Sequence, residues 1–205
     1  MDNAVEHERA KYLEVWSNPQ YREYSPGEEV ARSVGLDSLF RRLGVTSILD
    51  AGCGSGKTLR FFQESREAEF DLMGFDIAEN CLDAWFDAPE NKVPLQIGSL
   101  WDRDAVKATY DAVLCTDVLE HIPTDRIDAV LSNLHAWTGK VVFLGIALFE
   151  DHFGEKLVNE PLHLTVEPPT WWRERIEAAG FSMMMEKTAE HKGNPAWYYV
   201  MARPS

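Results

Sequence analysis

The chain has 205 residues, 45% of them hydrophobic, with 34 acidic against 20 basic side chains and a formal net charge of −14. That length suits one domain with a sizeable core, and the charge disfavours sequence-independent binding to phosphate backbones. No run approaches the ~18 apolar residues of a membrane helix, the polar start is unlike a signal peptide, and three cysteines without a C-x-x-C fit reduced thiols in a cytoplasmic protein.

In chain order, residues 4–16 read as a helix and residues 16–27 as a loop rich in aromatics and turn formers, including Trp16, Tyr21 and Tyr24. Ser25-Pro26-Gly27-Glu28 has the form of a helix start, with Ser at the cap, Pro at the first helical position and Glu at the third. That helix is predicted to run to Arg42. From Val45 onward the pattern alternates. Strands are predicted near 45–50, 70–76, 93–97, 110–116 and 139–147, and helices near 56–66, 78–87, 124–136 and 168–179. Such alternation implies βαβ units in a parallel sheet, with ligands at the carboxyl ends of the strands. Phe181–Lys187 and Ala196–Ala202 read as an antiparallel hairpin on one edge.

The densest signal follows the first strand. Asp50 ends an apolar run, and Gly52, Gly54 and Gly56 stand at alternate positions before a helix. Glycines there let the backbone turn tightly and approach a ligand. The spacing is not that of a dinucleotide fold, because position 57 is Lys. Ala51 to Thr58 comes within one residue of a P-loop, which would assign Lys57 and Thr58 to phosphate and Mg²⁺. The acid at the strand end suits hydroxyl or ammonium groups better than phosphate.

Asp76 closes the second strand, 20 residues after Gly56, where an acid can accept hydrogen bonds from ribose hydroxyls; its bland alternative is an N-cap. Ile77 beside it can cover an adenine face. Gly98-Ser99-Leu100 follows the third strand, and Ser99 can meet an adenine edge. The fourth strand, Tyr110 to Asp117, runs into Val-Leu-Glu120-His121-Ile-Pro123, which sets Cys115, Asp117, Glu120 and His121 beside the crevice of the glycine loop.

Asp50-x-Gly52-x-Gly54-x-Gly56, Asp76 and Tyr-Asp111-x-Val-Leu…Leu-Glu120-His121-Ile-Pro together resemble the successive motifs of class I S-adenosylmethionine-dependent methyltransferases, over roughly residues 45–147. Leu100-Trp101, Cys115-Thr-Asp-Val-Leu-Glu-His-Ile-Pro and Leu162-His-Leu-Thr-Val…Trp171-Trp172 are also similar to orphan methyltransferase-like proteins of bacteriophages and bacterial gene clusters. The resemblance implies an α/β Rossmann-like sandwich whose seven-stranded, mostly parallel sheet has the order 3-2-1-4-5-7-6 and ends in the antiparallel hairpin. It divides the single domain 1–205 into an N-terminal helical extension, 1–44, serving as lid or brace, and a core, 45–205. S-adenosylmethionine becomes the cofactor and S-adenosylhomocysteine the product. Gly52 to Gly56 would approach the methionine part with Asp50 supporting the loop, and Asp76 would hold the ribose. Ile77, Ser99 and Leu100 would surround the adenine, and groups from Cys115 to Asp117 would meet the ammonium.

An oxygen acceptor gains from proton removal, and imidazole ionises near neutral pH. His121, beside Glu120, is one candidate base, with a structural role near the helix start as its alternative. His163 is the other, because it lies in the segment after strand five where acceptor-facing loops are expected. Tyr21, Tyr24 and Trp171 are candidate acceptor walls. Asp117, Glu120, His121 and His163 include metal-ligand types, but a metal-free site is favoured. The expected function is methyl transfer to oxygen or nitrogen of a small polar acceptor (a sugar, nucleotide or other metabolite), by a monomer or homodimer with no membrane partner. The alternatives are a nucleobase or nucleic-acid methyltransferase, disfavoured by charge, a non-catalytic S-adenosylmethionine-binding protein, and a P-loop hydrolase.

Overall fold

A computed structural model describes residues 3–23, 25–65 and 69–205, without the side chains of 152 and 153. Strands β1 (Ser47–Ala51), β2 (Asp71–Asp76), β3 (Leu95–Ile97), β4 (Tyr110–Thr116), β5 (Thr138–Ala147), β6 (Phe181–His191) and β7 (Asn194–Pro204) form one sheet of order β3-β2-β1-β4-β5-β7-β6. The first five are parallel, and β7 runs antiparallel to both its neighbours. The sequence-derived strand order is the observed one.

Alternating apolar residues on the strands feed two cores, one on each face. Leu49, Val113 and Leu144 pack against Leu131 and Leu134 of α6 (Ile127–Trp137) and Trp172 and Ile176 of α8 (Pro169–Ala178). Ile48, Ala112 and Leu114 face Leu36 and Phe40 of α4 (Leu36–Arg42) and Leu59 and Phe62 of α5 (Lys57–Gln63). Each fully buried Leu or Phe side chain contributes about 1.5–3 kcal/mol, so this double burial fixes the direction in which every strand end points.

Several elements differ from expectation. The helix predicted from residue 26 to 42 breaks at Gly35, whose left-handed φ of 61° ends α3 (Pro26–Val34) and starts α4. Ser25 makes no side-chain cap; its carbonyl instead accepts from the amide of Glu29. The helix expected over 78–87 does not form, and only short 3₁₀ turns occur at Ala84–Asp87 and Pro89–Asn91. The carbonyls of Cys81 and Leu82 take hydrogen bonds of 2.8 and 3.1 Å from the Arg22 guanidinium, which also reaches the Asn80 carbonyl. Those acceptors are therefore satisfied without a helical ladder. Conversely, two short helices arise where loops were expected: α2 (Pro19–Arg22), capped by Asn18, and α7 (His152–Val158). The hairpin is longer than predicted and turns at Lys192 and Gly193, both at positive φ.

α1 (Asn3–Val15) lies across the carboxyl ends of the strands. It is held there by Asn80, which donates to the Leu13 carbonyl, and by Tyr12, which meets His121. Among the described residues, no helix is long and apolar enough to cross a membrane.

Candidate active site

The loop after β1 is folded back onto the end of β2. The amides of Gly52 and Cys53 donate to the Phe75 carbonyl at 2.7 and 3.0 Å, and the amide of Gly54 donates to Asp76 Oδ2 at 3.0 Å. Gly52, Gly54 and Gly56 have φ of 86°, 51° and 79°, a region that L side chains enter with difficulty. Space is short as well. A Cβ on Gly52 would stand 2.4 Å from Val118, and one on Gly54 would stand 2.7 Å from the Trp16 ring.

Asp76 supports the loop and also accepts from the Ala78 amide at 2.9 Å, so the N-cap-like contact and the loop contact coexist. Asp76 also lines the cavity beside it, where a carboxylate can accept further hydrogen bonds. That cavity is bounded by Gly52, Asp76, Ile77, Ser99 and Leu100 and roofed by Tyr12, Trp16 and Tyr21. Ser99 Oγ is buried there without a hydrogen-bond partner among the described residues. Among the described residues no hydrogen bond ties the Asp50 side chain to the loop it was expected to support, and the bond there comes from Asp76. Burial pushes the Asp50 carboxyl up to about 7 and that of Asp76 to about 6, with Asp76 adding repulsion at Asp50.

A second cavity shares Trp16, Tyr21, Gly52, Asp117 and His121 with the first. It continues past Thr116 to His163, Phe149 and Trp197, and Asp50 and Gly54 open onto it. Asp117 enters at φ 60°, a left-handed position that Asp tolerates, and its amide is fixed by the Gly145 carbonyl at 2.8 Å. The sharp turn lifts its side chain off the strand end.

His121 and His163 lie edge to face with ring centroids 4.6 Å apart. The Nδ1 of His121 is 3.1 Å from the Leu162 carbonyl and 2.8 Å from Tyr12 Oη. Nδ1 thus meets one group that only accepts and one, the Tyr12 hydroxyl, that can donate or accept, so these contacts fix the ring's position and not its tautomer. Burial and the neighbouring His163 hold the His121 imidazole well below its usual pKa, in the neutral form. The Nδ1 of His163 donates to the Phe149 carbonyl, which leaves its Nε2 as the acceptor. Glu120 is fully buried. Its Oε1 accepts from the Ala147 amide at 2.8 Å, its carbonyl takes the amides of Leu164 and Thr165, and its Oε2 has no hydrogen-bond partner among the described residues. Burial first, and then the neighbouring Asp117, raise the Glu120 carboxyl well above the ordinary range.

Most of the residues singled out in the sequence therefore converge, but not all. The side chain of Cys115 lies in the sheet core and borders neither cavity, because strand alternation turns it away, which leaves only its backbone to meet a ligand. Trp171 is a correction. It packs against Trp172 and the edge of the core, lies under the Arg175 guanidinium at 3.6 Å, and borders neither cavity. Gly56 ends the loop against Phe86 rather than lining a cavity. Tyr24 lies outside the described residues. Lys57 donates to the carbonyls of Arg22 and Glu23 at 2.8 and 2.7 Å, an anchor for α2 that takes two of its three ammonium donors. Sequence reasoning missed Tyr12, Phe149 and Trp197 as site residues. Phe149 sat in the expected acceptor segment, whereas Trp197 reaches the site only through its register opposite Ala147.

The strand order, the glycine loop and the acid-ended second strand define a class I S-adenosylmethionine-dependent methyltransferase. Residues 20–190 match the methyltransferase domain family, and the chain belongs to it. The methyl donor of this class is S-adenosylmethionine and its product S-adenosylhomocysteine. One curated relative is the chloroplastic magnesium protoporphyrin IX methyltransferase of Arabidopsis thaliana, 29% identical over 112 residues. That match spans 52% of this chain and only 34% of the relative. Among solved structures, the magnesium protoporphyrin IX methyltransferase of Synechocystis PCC 6803 with bound S-adenosylhomocysteine aligns at TM-score 0.68 and 20% identity, over 97% of this chain and 94% of that one. The Burkholderia thailandensis 1,6-didemethyltoxoflavin-N1-methyltransferase aligns at 0.71 and 18%, over 98% and 88%. These likenesses show the fold.

Proposed function

We propose that the enzyme methylates an oxygen or nitrogen of a small polar acceptor, such as a sugar, nucleotide or other metabolite, held in the second cavity with His163 as the base. The observation that carries this reading is the His163 ring. Its Nδ1–H is committed to the Phe149 carbonyl, and its Nε2 lone pair is available in a cavity continuous with the cofactor pocket. The cofactor's adenine would lie between Ile77 and Leu100 with its edge at Ser99, whose buried Oγ lacks a partner. The ribose would meet Asp76. The methionine part would follow Gly52 and Gly54 toward Asp50 and Asp117, which suit an ammonium.

The reaction needs little beyond alignment. The acceptor's lone pair attacks the methyl carbon, the sulfonium–carbon bond breaks to leave the neutral thioether, and the acceptor's proton passes to His163 Nε2. Alignment supplies up to about 7–11 kcal/mol in well-oriented cases, and a positioned base about 10²–10⁴-fold. His121, neutral and held by Leu162 and Tyr12, positions this wall rather than moving the proton. Residues 1–44 would act as the lid, with Tyr12, Trp16 and Tyr21 forming the roof. The net charge of −14 supports a small molecule over a nucleic acid. So do the protoporphyrin and toxoflavin acceptors named for two similar proteins.

The test is transfer of labelled methyl from S-adenosylmethionine to a panel of sugars, nucleotides and phenols, with an oligonucleotide for comparison. Label on a small molecule, lost in His163→Ala while cofactor affinity holds, is the expected result. Tight cofactor binding with no acceptor labelled would favour the non-catalytic reading, and label on the oligonucleotide would overturn the acceptor class.

A further inference from the structure

Asp117, Glu120, His121 and His163 each offer one ligating atom, and all four atoms lie within 4.8 Å of one another. Ligands about 2.1 Å from a shared ion stand roughly 3.0–4.2 Å apart, so small rotamer changes would close the set. The way these side chains are held is more telling than their proximity. The His163 Nδ1–H is donated to the Phe149 carbonyl, which leaves its Nε2 with a lone pair, and the His121 ring is held at Nδ1 by the Leu162 carbonyl and Tyr12 Oη. An outer hydrogen bond that fixes tautomer and ring direction is the usual support of a metal-ligating histidine. Glu120 adds an independent sign. It is fully buried, one oxygen is occupied by the Ala147 amide, and the other faces Asp117 with no hydrogen-bond partner among the described residues. Two carboxyl groups enclosed side by side repel when ionised, and a buried polar atom without a partner costs about 1–3 kcal/mol. A dication among them answers both problems.

We propose that Asp117, Glu120, His121 and His163 form a mononuclear divalent-cation site at the floor of the acceptor cavity, with its open positions toward the acceptor. Two carboxylates balance the charge of the ion, and two imidazoles alongside them suit Mn²⁺ or Zn²⁺ as well as Mg²⁺. An acceptor hydroxyl bound to the ion would be acidified, and the ion would fix that oxygen in line with the methyl carbon. This deepens the methyl-transfer reading and rests on it for the cavity's purpose. It changes one assignment: in the loaded enzyme the Nε2 of His163 is a ligand, and the acceptor's proton leaves from the ion-bound hydroxyl to solvent.

The experiment is metal binding by the full chain, stripped with EDTA and then titrated with Mn²⁺ followed by electron paramagnetic resonance, and with Zn²⁺ against a chromophoric chelator. One ion per chain is expected. Affinity should fall at least tenfold in Glu120→Gln and in His163→Ala, with S-adenosylmethionine affinity, measured on the same samples, holding in His163→Ala. His163 is on the cavity surface, so that variant keeps the test decisive if Glu120→Gln folds poorly. Failure to bind either ion, or binding of equal strength in His163→Ala, would overturn the site. An ion that binds to a chain with no affinity for S-adenosylmethionine would leave the site standing and remove the methyl-transfer reading. Methylation that runs undiminished in EDTA would do the reverse.

Discussion

Asp50 and Asp76 are neighbours at the ends of adjacent strands, and burial has raised both carboxyls, to about 7 and about 6. A raised acid contributes stability that is fully present below its unfolded pKa of about 4 and is lost as pH rises through the folded value. Melting of the cofactor-free protein should therefore fall between pH 5 and pH 8 through these two groups. S-adenosylmethionine carries a sulfonium and an ammonium, which favour the ionised forms. The rise in Tm on saturation should be larger at pH 8 than at pH 5, and Asp50→Asn should shrink that difference. Differential scanning fluorimetry at the two pH values checks both; an equal rise at both would remove Asp50 from the cofactor's surroundings. At His163, loss of a base or a ligand predicts a 10²–10⁴-fold fall in kcat for the alanine variant, on the order given for general-base groups. The KM for S-adenosylmethionine should change little.

At the level of elements, the glycine loop and α1 are fitted to each other. Gly54→Ala would place a methyl group 2.7 Å from the Trp16 ring at a φ of 51°. A destabilisation of about 1–3 kcal/mol is expected from strain at such a position, with weakened cofactor affinity, measurable by urea denaturation and calorimetry. Tyr12→Phe removes one contact to His121 and should loosen α1 by about 1 kcal/mol. Faster amide exchange over residues 3–15, with the sheet unchanged, would show it. The sequence made the sheet legible because βαβ periodicity and the glycine and acid positions are local. The 78–87 segment was misread because its carbonyls are taken by Arg22, almost 60 residues away, a partner that no local pattern announces. Trp171 was misread for a related reason: two adjacent tryptophans on one helix must point apart, and only tertiary packing decides which of them meets the core. Cys115, by contrast, follows strand alternation once the strand's inner face is known.

For the whole molecule, the N-terminal segment crosses the carboxyl edge of the sheet and is tied to it at several points. Val15 is buried, Glu8 and Lys11 form an enclosed pair at 2.7 Å, and Arg22 and Lys57 anchor α2. Removing the first 17 residues separates lid from brace. A lid predicts S-adenosylmethionine dissociation at least tenfold faster with a Tm lowered by only a few degrees; a brace predicts a large loss of Tm first. Stopped-flow dissociation together with thermal melting distinguishes them.

The Trp16 indole rests on Gly54 and meets Tyr21 edge to face at 5.1 Å, at the junction of the two cavities. It is therefore a built-in optical reporter. Occupation of the cofactor pocket must change the polarity around this ring and around Trp101, which lines the same cavity, so the protein's ultraviolet emission carries a binding signal without any attached dye. The part of that signal lost in Trp16→Phe belongs to this ring, and it times cofactor entry, acceptor entry and product departure before the acceptor has been given a name.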